Sequence, residues 1–105
     1  MWFIFPQLKG LGFSQRADEF AISSREEAQA YLDHLVLGPR LIQCTQLVIE
    51  IDGFKISEIF GYPDYLKFRS CMTLFSMVNP EEPVFRQALQ KYFGGELDPR
   101  TVARL

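Results

Sequence analysis

The chain has 105 residues, 48% of them hydrophobic and 23% charged, with a net charge of −2 at pH 7. That length fits a single domain over residues 1–105, and the composition excludes a mainly disordered chain. The slight negative charge, with a pI of about 5.3, excludes a bulk field that would gather nucleic acid, so no nucleic-acid partner is expected.

The chain opens Met1-Trp2-Phe3-Ile4-Phe5-Pro6. This apolar run is too short for a signal peptide and lacks a basic start. No stretch approaches the roughly 20 apolar residues of a membrane span. A cytoplasmic chain without membrane association is therefore expected. Trp2, Ile4 and Phe5 either dock into the core or follow a segment that is missing. Gly10 and Gly12 mark a loop, and residues 15–22 are predicted to form a short helix.

Ser24-Arg25-Glu26-Glu27 is a capping-box pattern, in which the Ser24 hydroxyl accepts a free backbone N–H and Glu27 reaches back. Ala28, Tyr31, Leu32 and Leu35 then recur at helical spacing and predict one apolar stripe. Gly38-Pro39 ends that helix and opens the next, since proline is tolerated in a first turn. Leu41, Cys44, Val48 and Ile51 continue at helical spacing. Residues 46–51 read as helix by continuity, although their β-branched side chains also suit a strand.

Asp52-Gly53 is a turn, and residues 57–60 predict one helical turn closed by Gly61. Pro63 opens a helix over about residues 64–78. Its main stripe is Tyr65, Phe68, Cys71, Met72 and Phe75, and its other side carries Leu66, Leu74 and Met77. A helix apolar almost all round is a buried one, so this is the expected central helix. Asn79-Pro80 stops it. A further helix is predicted over about residues 83–93, stopped by Gly94-Gly95, and a last turn starts at Asp98-Pro99. Period-2 alternation is nearly absent. The expected fold class is all-α: a compact domain of about five short helices around a buried central one.

The chain carries no standard catalytic or phosphate-loop motif. Cys44 and Cys71 lie in apolar stretches and read as reduced core thiols. Zinc needs about four ligands, and His34 has no second His or Cys nearby, so no metal and no cofactor are expected. Three features remain as candidates for ligand binding. Lys67, Ser70 and Thr73 form a polar strip along the central helix, with Asp64 placed to pair with Lys67. The bland reading is that both hydroxyls bond back to preceding-turn carbonyls and Lys67 snorkels to solvent. Trp2, Phe5, Pro6 and Gln7 would make a small-ligand wall, or an aromatic staple on the core. Arg40 suits a carboxylate or phosphate, or an ion pair with Glu26 or Glu27.

Several runs resemble the Domain of Unknown Function 1810 family. They are Met1 through Gly12, Leu37-Gly38-Pro39-Arg40-Leu41, Ile59-Phe60-Gly61-Tyr62-Pro63-Asp64 leading into Leu66 through Phe75, and finally Pro83-Val84-Phe85, Phe93-Gly94-Gly95-Glu96 and Asp98-Pro99-Arg100-Thr101. The resemblance covers nearly the whole chain in order. It implies a small, cytosolic, mostly helical protein, sometimes labelled calpastatin, without an established activity. Nothing in the chain resembles a protease-inhibitor repeat. Family members usually carry an extra N-terminal stretch, and its lack here would leave an apolar face that favours self-association.

Two functional classes follow. The first is a ligand-binding or protein-interaction module, its small-molecule or protein partner unidentified, with Trp2, Gln7, Arg40, Lys67, Ser70 and Thr73 as the binding residues. The alternative is a small enzyme acting on a nucleotide-like or ADP-ribose-like metabolite. There Trp2 and Phe5 would stack the base, while Lys67, Arg40 and Ser70 would hold phosphates or hydroxyls. That alternative needs Gln7, Lys67, Ser70 and Thr73 to open into one pocket.

Overall fold

A computed structural model of the chain describes residues 4–11 and 21–105. Among them six helices follow one another: α1 (Arg25–Asp33), α2 (Leu37–Ile49), α3 (Ile56–Phe60), α4 (Asp64–Val78), α5 (Pro83–Phe93) and α6 (Pro99–Arg104). The all-α expectation of about five short helices around a buried central one holds among the described residues. Leu8 and Ile22 form an isolated parallel bridge. The predicted helix over residues 15–22 lies outside the described residues up to position 20, and Ala21 and Ile22 are not helical. Ile22 is held extended instead, by bonds to Gln7 and Lys9.

Local chemistry sets most helix ends. The Ser24 hydroxyl accepts the Glu27 N–H at 3.1 Å and starts α1. Glu27 reaches back one residue further than the capping-box spacing implies, to the N–H and hydroxyl of Ser23. Pro83 and Pro99 occupy the first turns of α5 and α6, where a missing N–H costs nothing. Gly94 closes α5 in the left-handed conformation at φ 62°. The Tyr62–Pro63 bond that precedes α4 is cis.

The α1–α2 junction corrects one expectation. Leu35 was placed on the apolar stripe of α1, yet it is 91% exposed. The helix ends at Asp33, and His34 takes extended backbone as its C-cap. His34 Nδ1 then accepts the N–H groups of Val36 and Leu37 at 3.1 Å each, which starts α2. This break lets the backbone of Gly38 pass against Leu32. A Cβ at position 38 would overlap the Leu32 carbonyl oxygen.

Helix α4 is the centre of the fold. It packs against α1, α3, α5 and α6, while α2 reaches the core through α1 and α5. Every residue from Ser70 to Ser76 is buried, as is Phe68. Its bounds and its central place match the sequence expectation, but its first turn is not buried: Leu66, expected on an apolar side, is exposed, and Tyr65 is half-buried. Phe68 meets Phe5, Phe60 and Phe93, with ring centroids 5.0, 5.1 and 6.5 Å away. Fully burying each such side chain stabilises the fold by about 1.5–3 kcal/mol. Phe5 is therefore a core residue, whereas Ile4 is 44% exposed. Among the described residues no helix is long and apolar enough to cross a membrane.

Candidate functional site

The hydroxyls of α4 meet the start of α6. Ser70 Oγ donates to Asp98 Oδ2 at 2.7 Å and lies 3.1 Å from the Leu66 carbonyl. Thr101 Oγ1 donates to the same carboxylate oxygen at 2.6 Å, and the Arg100 N–H donates to Oδ1 at 3.3 Å. Thr73 Oγ1 donates to the Arg69 carbonyl at 2.8 Å and accepts the Asp98 N–H at 2.9 Å. Arg69 grips the same segment from outside, its Nη2 donating to the Leu97 carbonyl at 2.7 Å. Burial pushes the Asp98 carboxyl up. The donors from Thr101, Ser70 and Arg100, with the charge of Arg69, outweigh burial and hold it below its usual value. The cluster fastens α6 onto α4.

The sequence-predicted binding residues are distributed as follows. Ser70 and Thr73 come together, buried, around Asp98. Lys67 lies on the same helix and pairs with Asp64 at 3.6 Å. Gln7 is buried on the N-terminal extended segment. Arg40 is exposed on α2, near the Tyr31 hydroxyl. Trp2 lies outside the described residues. Cys71 is fully buried, and burial pushes its thiol well above the ordinary value. A raised thiol carries little thiolate, which suits an inert core residue.

A different set of residues meets at an open cleft of about 910 Å³. Ligand pockets commonly span about 300–1,000 Å³. Its walls come from three separate stretches of chain: Lys9 and Gly10 near the N-terminus, Ser24, Arg25 and Glu26 at the start of α1, and Arg104 at the end of α6. None of the five described candidates from the sequence lines it.

Backbone bonding assembles this cleft. The Lys9 N–H donates to the Ile22 carbonyl at 2.7 Å, and the Ile22 N–H donates to the Gln7 carbonyl at 2.8 Å. These two bonds set Lys9 beside the Ser23–Ser24 entry to α1. Arg100 Nη2 donates to the Leu11 carbonyl at 2.8 Å and draws α6 to the same segment. Gly10, at φ +93°, has the Arg104 guanidinium lying directly against it, so a side chain there would be strained and would have to displace Arg104. Arg25 Nη1 donates to the Met77 carbonyl at 3.3 Å, at the far end of α4.

Among the described residues, Lys9, Arg25 and Arg104 therefore line one cleft, together with the carboxylate side chain of Glu26. Glu27, close by, is held below the usual carboxylate range by the side-chain and backbone hydrogen bonds of Ser23, helped by the charge of Lys9. Sequence reasoning passed over Lys9, Arg25 and Arg104. No motif connects them, and only the folded backbone brings them together. Gly10 was the one local signal, read as a loop.

The chain matches, over residues 1–105, the family described as "Protein of unknown function (DUF1810)". It is similar to a solved structure, the conserved hypothetical protein Rv1873 from Mycobacterium tuberculosis. The two share 56% identity and a TM-score of 0.97, over 99% of this chain and 74% of that one. No curated protein matches the chain.

Proposed function

The chain belongs to the DUF1810 family, and from that premise we propose that it is a binding module for a small anionic molecule seated in the cleft between Lys9, the start of α1 and Arg104. The observation that carries this reading is the meeting of Lys9, Arg25 and Arg104, from three segments, around one ligand-sized space. Cations gathered in a concave site focus potential and make charge-assisted bonds to an anion. Gln7 contributes through its backbone, which fixes Ile22 and so sets Lys9 in place.

Binding without turnover is preferred to catalysis because the serine hydroxyls at the cleft are committed. Ser23 donates its hydroxyl to Glu27, and Ser24 accepts the Glu27 N–H. Neither is joined to an imidazole or an amine base among the described residues.

Thermal melting in sodium phosphate and in sodium acetate, at matched ionic strength, tests the proposal. A ligand that binds only the folded state at a hundredfold excess over its Kd stabilises by about 2.7 kcal/mol. Phosphate should raise the Tm of the wild type and of Lys67→Ala, and the rise should be lost in Arg104→Ala. No rise in the wild type, or an equal rise in Arg104→Ala, would remove the cleft as the site. Loss of the rise in Lys67→Ala would place the site on α4 instead.

A further inference from the structure

We infer that residues 98–105, which carry Asp98 and helix α6, are a strap that opens and closes over the cleft as one unit while the rest of the fold stays in place. The strap stands on how it is held, independent of the anion-binding reading. Helix α6 buries little apolar surface. In α5, Val84, Phe85, Ala88 and Leu89 are buried and fix that helix by apolar packing. In α6 only Thr101 is buried. Val102 is exposed, and Leu105 is half-buried against the core. Exposing buried apolar surface forfeits the hydrophobic gain, whereas a broken protein hydrogen bond is largely replaced by bonds to water. An element held mainly by polar bonds therefore opens more readily than one held by packing.

The polar hold is concentrated at Asp98, whose carboxylate takes the Ser70 hydroxyl and whose N–H donates to Thr73 Oγ1. When the strap lifts, both α4 hydroxyls keep a partner. Ser70 Oγ retains the Leu66 carbonyl at 3.1 Å, and Thr73 Oγ1 retains the Arg69 carbonyl at 2.8 Å. Such bonds to the preceding turn satisfy a helix hydroxyl without an outside group. The Thr101 hydroxyl and the Arg100 N–H travel with Asp98, so its carboxylate keeps donors as well. Arg69 fixes the chain just before this point, donating to the carbonyls of Glu96 and Leu97 at 3.4 and 2.7 Å. The swing therefore falls between Leu97 and Asp98 and leaves α5 in place.

The far end of the strap meets the cleft. The Arg104 guanidinium lies against Gly10, and Arg104 and Leu105 line the cleft with Lys9 and Gly10. Lys9 is held without the strap, through its bond to the Ile22 carbonyl and the Ile22 bond to Gln7. Arg100 Nη2 joins the strap to this segment at the Leu11 carbonyl. Opening therefore removes one wall of the cleft and leaves the others built. Only the closed form presents the whole cleft, so the apparent affinity for any occupant that touches α6 scales with the closed fraction.

Native-state hydrogen exchange of the whole chain, in buffer and in sub-denaturing urea, tests the strap. The probes are the amides of Asp98 and Val102, bonded to Thr73 Oγ1 and the Asp98 carbonyl, against those of Leu74 and Phe75 at the buried centre of α4. Asp98 and Val102 should share one opening constant, at least about tenfold larger than that of the α4 amides, with a shallower urea dependence because little surface is exposed. In Asp98→Ala, Val102 should lose most of its protection while Leu74 and Phe75 stay protected and the melt stays cooperative. Asp98 opening only together with the α4 amides in the wild type would overturn the strap, whether or not the variant folds. Val102 keeping its wild-type protection in a folded Asp98→Ala would overturn it too. Inorganic phosphate, at matched ionic strength, separates this inference from the proposed function. Early opening that phosphate slows supports both. Early opening that phosphate leaves unchanged supports the strap and counts against the anion site.

Discussion

The Ser70 hydroxyl donates to the Asp98 carboxylate at 2.7 Å, and this bond ties the central helix to the start of the last one. Asp98 as a whole is 8% exposed, so a donor removed there is poorly replaced by bulk water. Thr101 and the Arg100 N–H supply the other bonds. Because Arg100 also reaches the Leu11 carbonyl, the clasp bears on the position of Arg104 in the cleft.

Ser70→Ala should lower unfolding stability by about 1.5–3 kcal/mol, the range for a hydrogen bond to a charged group. Urea denaturation measures this directly. A loss under about half a kcal/mol would mean that the hydroxyl bonds its own helix carbonyl and contributes nothing to the clasp.

The same carboxylate predicts a pH dependence. Burial raises its pKa, but hydrogen bonds from Thr101, Ser70 and the Arg100 N–H, with the Arg69 charge, win and lower it. A depressed folded pKa means that the unfolded chain takes up the proton first as pH falls. The stabilisation is therefore complete above the unfolded value of about 3.9 and is lost as pH falls through the folded value. Denaturation of the wild type and Asp98→Asn between pH 7 and pH 2 should show a stability gap that is constant near neutrality and shrinks below about pH 4. Glu27 shifts in the same direction, from its Ser23 bonds, but it is common to both proteins and cancels in the gap. A gap that stays constant down to pH 2 would contradict the assignment.

Gly38→Ala should destabilise, against the usual sign. Alanine ordinarily favours a helix over glycine by about 1 kcal/mol. Here a Cβ would overlap the Leu32 carbonyl oxygen, which is backbone and cannot turn aside. Overpacking of this kind costs about 1–3 kcal/mol, occasionally more. A melt showing Gly38→Ala as stable as the wild type would mean that the α1–α2 junction yields freely.

Helix α4 was legible from residue 64 to 78 because its signals are local. Pro63 precedes it, Asn79-Pro80 stops it, and its apolar residues cover almost every direction. Helix α5 was equally legible, between Pro83 and Gly94. Leu35 misled because spacing alone does not reveal that His34 leaves the helix to cap the next one. The roles of Ser70 and Thr73 depended on Asp98, which is 28 and 25 positions away; periodicity carries no information about such a partner. The cleft was the least legible feature. Lys9, Arg25 and Arg104 each sit among ordinary polar neighbours, and only the Leu8–Ile22 bridge and the docking of α6 bring them together.

The most direct test of the central claim is a nuclear magnetic resonance titration with inorganic phosphate, followed through the backbone amides. The account predicts saturable shifts at Lys9, Gly10, Ser24, Arg25, Glu26 and Arg104, diminished by added salt as charge screening requires. The largest shifts falling around Arg40 on α2 or Lys67 on α4, or no saturable shift at any amide, would contradict it.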